Sequence, residues 1–271
     1  MNCISNPTSG VSEKSYGAVF GYVQSGKTAN YIGLINKAVD AGYKIIIVLA
    51  GMHNNLRSQT QMRIDEEVLG FETSIEYLRQ KAGLVPSIIG VGTLNFKMDK
   101  SIEALTSRDE KGDFTKGRAG VSRQYDQPKI FIVKKQSKVL QYVYDNLSKN
   151  HAAVQNPDGT SLFSCKYSLL VIDDEADQAS VNTKYKTDRS GEISDDSEVS
   201  KINELIRRIL SLFSCRSYVG YTATPYANVF IPPQISDAEL EDDLFPKDFI
   251  VCLPKPAGYV GAMEFFGEDE N

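Results

Sequence analysis

No stretch of the 271 residues approaches the roughly 18 unbroken apolar residues that a membrane-crossing helix requires, so no membrane span is expected. The opening residues, Met1-Asn-Cys-Ile-Ser-Asn-Pro, carry no basic segment followed by an apolar core and do not read as a secretory signal. Cysteine is scarce: Cys3, Cys165, Cys215 and Cys252 lie far apart, with no C-x-x-C pair to suggest zinc or a disulfide framework. That usage fits a reducing cytoplasm. Histidine is scarcer still, and His53 and His151 read as surface residues rather than catalysts. No internal repeat is visible. Hydrophobic residues at 41% and charged residues at 24% are near globular averages, which excludes a disordered or fibrous chain.

The net charge of −5 would by itself speak against nucleic acid, but the charge is unevenly spread. Residues 236–271 hold 10 acids against Lys247 and Lys255, a net of −8; residues 1–235 hold 28 bases and 25 acids, a net of +3. The body of the chain is mildly basic and its end strongly acidic.

Short apolar runs recur at Ala18–Val23, Ile45–Ala50, Ser87–Val91, Ile130–Val133, Leu169–Ile172, Tyr218–Tyr221 and Phe249–Leu253. They do not alternate with polar residues, which is how strands covered on both faces read. Helical spacing lies between them. Thr28–Ala41 sets Ile32, Ile35 and Val39 on one stripe, with Gly42 as a stop. Lys201–Phe213 has an apolar stripe with Ser200 as N-cap and Arg207 and Arg208 outward, and Gln136–Leu147 is a third helix. Strands alternating with helices predict an α/β fold: a mostly parallel sheet with helices on both faces. Ser107–Asp126, with several Arg and Lys residues, and Asn182–Ser200 read as long irregular loops.

Gly21-Tyr-Val-Gln24-Ser25-Gly26-Lys27-Thr28 matches G-x-x-x-x-G-K-[ST] after an apolar strand and before a helix. Glycines let the backbone curl so that its N–H groups, with the helix N-terminus, surround phosphate oxygens. Lys27 would reach the β- and γ-phosphates and the Thr28 hydroxyl would ligate Mg²⁺. Leu169-Leu-Val-Ile-Asp173-Asp174-Glu175-Ala-Asp177 puts carboxylates at the C-terminal end of a buried strand, where ligands bind in open α/β sheets. One carboxylate would join the Mg²⁺ shell and its neighbour would activate water. Spacing alone leaves the metal assignment open between Asp173 and Asp174. Tyr218-Val-Gly-Tyr-Thr222-Ala-Thr224-Pro225 is a strand ending in small hydroxyl residues, a weak signal on its own.

Taken in order, these three segments resemble motifs I, II and III of superfamily 2 helicases: Asp174-Glu-Ala-Asp177 matches the DEAD box and Thr222-Ala-Thr224 resembles the motif III triplet. Together with Leu49-Ala-Gly51, Leu56-Arg-Ser-Gln-Thr-Gln-Met-Arg63, Ile172–Thr183 and Leu244–Ile250, they resemble the Z-one domain family of helicase-like ATPases, described as endonucleases of bacterial restriction and phage-defence operons. The resemblance implies a RecA-like P-loop NTPase domain over residues 16–271 behind a tail at 1–15, using ATP and Mg²⁺. By position it gives Lys27 and Thr28 the phosphate and metal roles, Asp174 the metal shell, and Glu175 the polarisation of water. Asp177, Thr222 and Thr224 would link nucleotide state to nucleic-acid contact, and Gln24 follows the family's loop pattern. Arg57, Gln59, Gln61 and Arg63 stand where helicases touch the nucleic-acid backbone, with Lys134 and Lys135 as further candidates; a solvated helix face reads equally well. The implied partners are nucleic acid, DNA before RNA, and proteins of a defence operon.

Superfamily 2 motors use a second RecA-like domain that supplies an arginine finger, and the 46 residues after Pro225 contain no arginine. The chain is therefore expected to be the first motor domain alone, with feeble hydrolysis. Two rival expectations stand beside this one: a non-catalytic, nucleotide-gated scaffold, and a nuclease, for which no separate constellation of residues is evident.

Overall fold

The computed structural model describes residues 3–23, 25–75, 86–94, 102–116, 127–151, 154–155, 161–162, 167–178, 180, 197–225, 236–237, 241–242 and 244–255. Gln24, the second half of the basic loop at 117–126, residues 181–196 and most of the acidic C-terminal end lie outside the described residues.

In chain order the elements are β1 (Glu13–Phe20), α1 (Lys27–Ala41), β2 (Ile45–Ala50), α2 (Asn54–Ile64), β3 (Glu103–Ala104), β4 (Lys129–Val133), α3 (Ser137–His151), the hairpin β5 (Val154–Gln155) and β6 (Ser161–Leu162), β7 (Leu169–Asp174), α4 (Ser197–Ser211), β8 (Cys215–Thr222), the hairpin β9 (Ser236–Asp237) and β10 (Glu241–Asp242), and β11 (Phe249–Cys252). Seven strands form one sheet in the order β11-β1-β8-β7-β2-β4-β3, and every pairing in it is parallel. This is an α/β fold of the RecA-like type.

The sheet is apolar on both faces because its strands alternate between two cores. Ile45, Ile47, Leu49, Phe131, Val133, Leu169 and Val171 pack against Val139, Leu140 and Val143 of α3 and Ile202, Leu205, Ile206 and Ile209 of α4. Ile46, Val48, Ile130, Ile132, Leu170 and Ile172 meet Tyr31, Ile32, Ile35 and Val39 of α1 on the other face, with Ile64 of α2. Helix α1 ends where expected: Gly42 takes φ 106° and its N–H donates to the carbonyls of Ala38 and Val39.

Three local expectations need correction. Ser87–Val91 is not a strand: Ile88 makes a single antiparallel bridge to Phe71, and a 3₁₀ turn follows at Gly90–Thr93. A Cβ on Gly90 would lie 2.0 Å from Glu66 O, and one on Gly92 1.9 Å from Gly70 O, so this segment is shaped by backbone-to-backbone packing. Ser200 is inside α4, which begins at Ser197. Arg207 points inward and is buried, whereas Arg208 stacks over the Tyr144 ring of α3 with its guanidinium carbon 4.4 Å from the centroid.

Residues 3–12 are fastened to the start of β8. Ser5 Oγ donates to Arg216 O (2.8 Å), Ser5 N–H donates to Ser217 Oγ (3.0 Å), and the buried Tyr43 hydroxyl donates to Ser5 O (2.6 Å). Among the described residues no helix is long and apolar enough to cross a membrane.

Candidate functional site

All seven strands of the sheet run the same way, so the segments that leave β1, β2, β4, β7 and β8 emerge at one edge. Backbone hydrogen bonds stitch that edge together: Gly21 N–H to Thr222 O (3.2 Å), Lys135 N–H to Gly51 O (2.7 Å) and Ala176 N–H to Tyr221 O (2.9 Å). The phosphate-loop residues and the acidic segment, over 140 residues apart in sequence, therefore share one rim of the sheet, the rim where α/β folds bind ligands.

In the loop itself, Gly26 adopts the left-handed conformation at φ 85° and caps α1, and a Cβ there would meet nothing within 4 Å. That leaves an open approach to the first N–H groups of the helix. Gly21 is needed for another reason: a Cβ on it would come within 2.5 Å of Ser25 Oγ. The Ser25 hydroxyl is buried without a hydrogen-bond partner among the described residues. Lys27 is buried along its stem, and its Nζ donates to Tyr22 O at 3.1 Å and Gly21 O at 3.5 Å, keeping the ammonium inside the curl of the loop.

Strand geometry sends the two aspartates to opposite faces of the sheet. Side chains alternate along β7, so Asp174 follows Leu170 and Ile172 onto the α1 face, while Asp173 follows Leu169 and Val171 onto the α3/α4 face. Asp173 is fully buried there, with Lys135 Nζ 2.7 Å from Oδ1 and the Tyr218 hydroxyl donating to Oδ2 at 2.6 Å. Asp174 lies half-buried on the side of the phosphate loop, accepting a hydrogen bond from the Tyr31 hydroxyl at 3.2 Å. Its carboxyl is pushed above the ordinary carboxylate range, first by burial and then by the neighbouring charge of Glu175. A cation beside it would relieve both penalties.

Glu175 follows in the left-handed region at φ 54°, the one non-glycine residue with positive φ among those described. An acidic side chain held there costs about 1 kcal/mol or more, and such outliers concentrate at functional sites. Two residues on, Asp177 is gripped by the third motif: Thr222 Oγ1 donates to Oδ1 at 2.7 Å and Thr224 Oγ1 to Oδ2 at 2.6 Å. Thr222 Oγ1 also accepts the Thr224 N–H at 2.9 Å, so the turn after β8 and the acidic turn after β7 are one hydrogen-bonded unit.

The proposed nucleic-acid contacts divide sharply. Arg57 has no exposed surface; its guanidinium donates to Ser107 O (2.9 Å) and Asp109 O (2.5 Å), tying α2 to the following loop. Gln61 is equally buried, between Asp65 and Thr106. Lys135 is buried against Asp173. These three cannot contact nucleic acid in this fold, because their side chains are buried. Gln59 is exposed, and Arg63 is partly exposed with an i,i+4 ion pair to Glu67 at 2.8 Å. Lys134 is half-buried, with Nζ donating to Asn54 Oδ1 at 2.9 Å.

Sequence reasoning missed Tyr31 and Tyr221. Their rings pack edge to face with centroids 5.5 Å apart, and both hydroxyls lie at the site: Tyr31 on Asp174, Tyr221 on Asn30 Oδ1 at 2.9 Å. Burial pushes both phenols to higher pKa, so they stay protonated as donors. The available signal was position: Tyr31 lies one helical turn after Lys27.

No group of three or more His, Cys, Asp or Glu is gathered for a metal ion among the described residues. A magnesium site with one hydroxyl and one carboxylate from protein, completed by phosphates and water, does not need one. The donor set of Thr28 and Asp174, the partnerless Ser25 hydroxyl and the open Gly26 fit such a group. The chain matches no protein-family model, and comparison with curated proteins and with solved structures likewise gives no match.

Proposed function

We propose that the chain is the ATP-binding, Mg²⁺-dependent motor domain of a helicase-like nucleic-acid enzyme, of the Z-one type associated with bacterial restriction and phage defence, acting in the cytoplasm. The observation that carries this reading is the alternation along β7. It turns Asp174 towards α1 and the phosphate loop, at the same sheet edge, and buries Asp173 away from them.

In this reading the N–H groups at the start of α1 and the Lys27 ammonium hold the phosphates, and Thr28 and Asp174 hold the ion. Bound Mg²⁺ would draw negative charge from the phosphate oxygens and fix their orientation. Glu175, projecting from its left-handed turn, would accept a proton from water. Asp177 supports the link to nucleic acid: it is bonded to both Thr222 and Thr224, so a shift in the acidic turn cannot leave the turn after β8 in place. Gln59 and Arg63 on α2 have the exposure to meet a phosphate backbone, DNA before RNA, by contacts that position without reading sequence.

Isothermal titration tests the reading. The chain should bind ATP with Mg²⁺, and Lys27→Ala should abolish that binding. Unchanged affinity in the Lys27 variant would remove the phosphate loop from the site and the proposal with it.

A further inference from the structure

Lys135 occupies an unusual position for a lysine: it and its counter-ion both have no side-chain exposure, yet it sits directly beneath the acidic turn. One ammonium meets three oxygens, namely Asp173 Oδ1 at 2.7 Å, Glu175 O at 2.6 Å and Gln178 O at 3.0 Å. Its two hydrogen bonds go to the carbonyls, and Asp173 Oδ1 is its ion-pair partner. Two of the acceptors are the first and last carbonyls of the turn that carries Glu175 and Asp177, and that turn is closed by Gln178 N–H donating to Glu175 O at 2.9 Å. The counter-charge is itself held in place, because Tyr218 from β8 donates to the other oxygen of Asp173. Behind it, the Lys135 N–H is anchored on Gly51 O, at the exit of β2.

A lysine serving only to neutralise Asp173 would need none of these carbonyl bonds. The Glu175–Ala176 peptide is also held by Gln178 N–H on Glu175 O and by Ala176 N–H on Tyr221 O; Lys135 adds the contact that joins Glu175 O to Gln178 O. The two peptide oxygens bound by Lys135 flank the turn that aims one carboxylate outward and the other at the threonines.

We infer that Lys135 is a positioning residue of the nucleotide site: a buried ammonium that grips both ends of the acidic turn and thereby fixes the carboxylates of Asp174 and Glu175 at the phosphate and that of Asp177 on Thr222 and Thr224. This rests on the nucleotide-binding reading above. Lys135 touches neither phosphate nor ion; it acts through the backbone of the residues that do.

The test is the magnesium-linked part of nucleotide affinity: the ratio of the ATP dissociation constant in EDTA to that in Mg²⁺. Loss of an outer support to a metal ligand typically lowers metal affinity about 10- to 100-fold. Lys135→Met combined with Asp173→Asn removes both buried charges and the grip on the carbonyls. It should lower the ratio by about tenfold or more while ATP affinity in EDTA stays at the wild-type value. Lys135→Arg keeps the positive charge beside Asp173, but its longer, planar fork does not fit the fully buried space of the ammonium without displacing the carbonyls; it should lower the ratio in the same direction. A folded double variant, or the arginine variant, with the wild-type ratio would overturn the inference and leave Lys135 as packing alone. Failure of the underlying reading looks different: the wild-type chain would then bind no ATP, or bind it equally with and without Mg²⁺.

Discussion

Arg57 separates two accounts of helix α2. If it serves nucleic acid, its removal weakens binding and spares the fold; if it serves the fold, the reverse holds. Its guanidinium is wholly buried and donates to two carbonyls, Ser107 O and Asp109 O, with Asp113, Asp109 and Asp65 nearby to balance its charge. Hydrogen bonds from a charged donor contribute about 1.5–3 kcal/mol each, so the two amount to roughly 3–6 kcal/mol. Against this stands the desolvation of the guanidinium, large enough to lower its pKa. Methionine replaces the aliphatic stem but leaves Ser107 O without this donor and Asp109 O with the Gly112 N–H alone. The net cost of Arg57→Met is then about 3 kcal/mol, or a fall in Tm of roughly 6–12 °C for a domain of this size. Urea unfolding measures the first quantity and calorimetry the second. Fluorescence anisotropy with labelled single-stranded DNA over a range of salt gives the other half: each phosphate contact contributes a slope of about −0.9 in log K against log salt for duplex and about −0.7 for single strands. Arg57→Met should leave that slope unchanged. Stability within about 0.5 kcal/mol of wild type, together with a slope flatter by one contact, would refute the structural assignment.

Other perturbations follow from the same geometry. Thr222→Val is nearly isosteric but strips Asp177 of one donor and the Thr224 N–H of its acceptor; it should cost about 1–3 kcal/mol in urea unfolding, and no measurable cost would mean the clasp is dispensable. Tyr43, buried and bonded to Ser5 O and Ser217 Oγ, has its pKa raised by burial. A pKa raised on folding gives stability that is full below the unfolded value of about 10 and declines above it, by about 1.4 kcal/mol per pH unit until the folded value is reached. Tyr43→Phe should remove that much slope from stability measured between pH 10 and 11; an unaltered slope would show the phenol ionising freely in the fold.

The alternation of apolar strands with amphipathic helices made the layer order legible, and Ile45–Ala50 matches β2 residue for residue. What composition could not reveal was which polar residues turn inward. Arg57, Gln61 and Lys135 sit beside apolar stripes in the sequence just as solvated residues would, and their burial depends on carbonyls, a hydroxyl and a carboxylate brought in from distant segments. Which of Asp173 and Asp174 faces α1 was open in the sequence although the rule that decides it is simple. Alternation along a strand assigns residues to faces only when it is known which face α1 covers, and that is a fact of topology. Ser87–Val91 misled because its apolar residues are interleaved with glycines that bring backbones together; β3 was invisible because two residues carry no pattern.

The strand order has a consequence for how the molecule is made. β1 leaves the ribosome before the other strands of this sheet, yet both of its neighbours come late: β8, paired from Glu13↔Cys215 to Phe20↔Thr222, and β11, paired from Gly17↔Phe249 to Phe20↔Cys252. Until residue 222 has been synthesised, β1 has no sheet to join, while β2, β4 and β7 can already assemble among themselves. At about 5–20 residues per second, the phosphate loop waits roughly 10–40 seconds for its scaffold. Such distant pairing is entropically slow to form. The proposed nucleotide site is therefore a product of the last stage of folding, and a nucleotide bound there would favour only chains that have completed it.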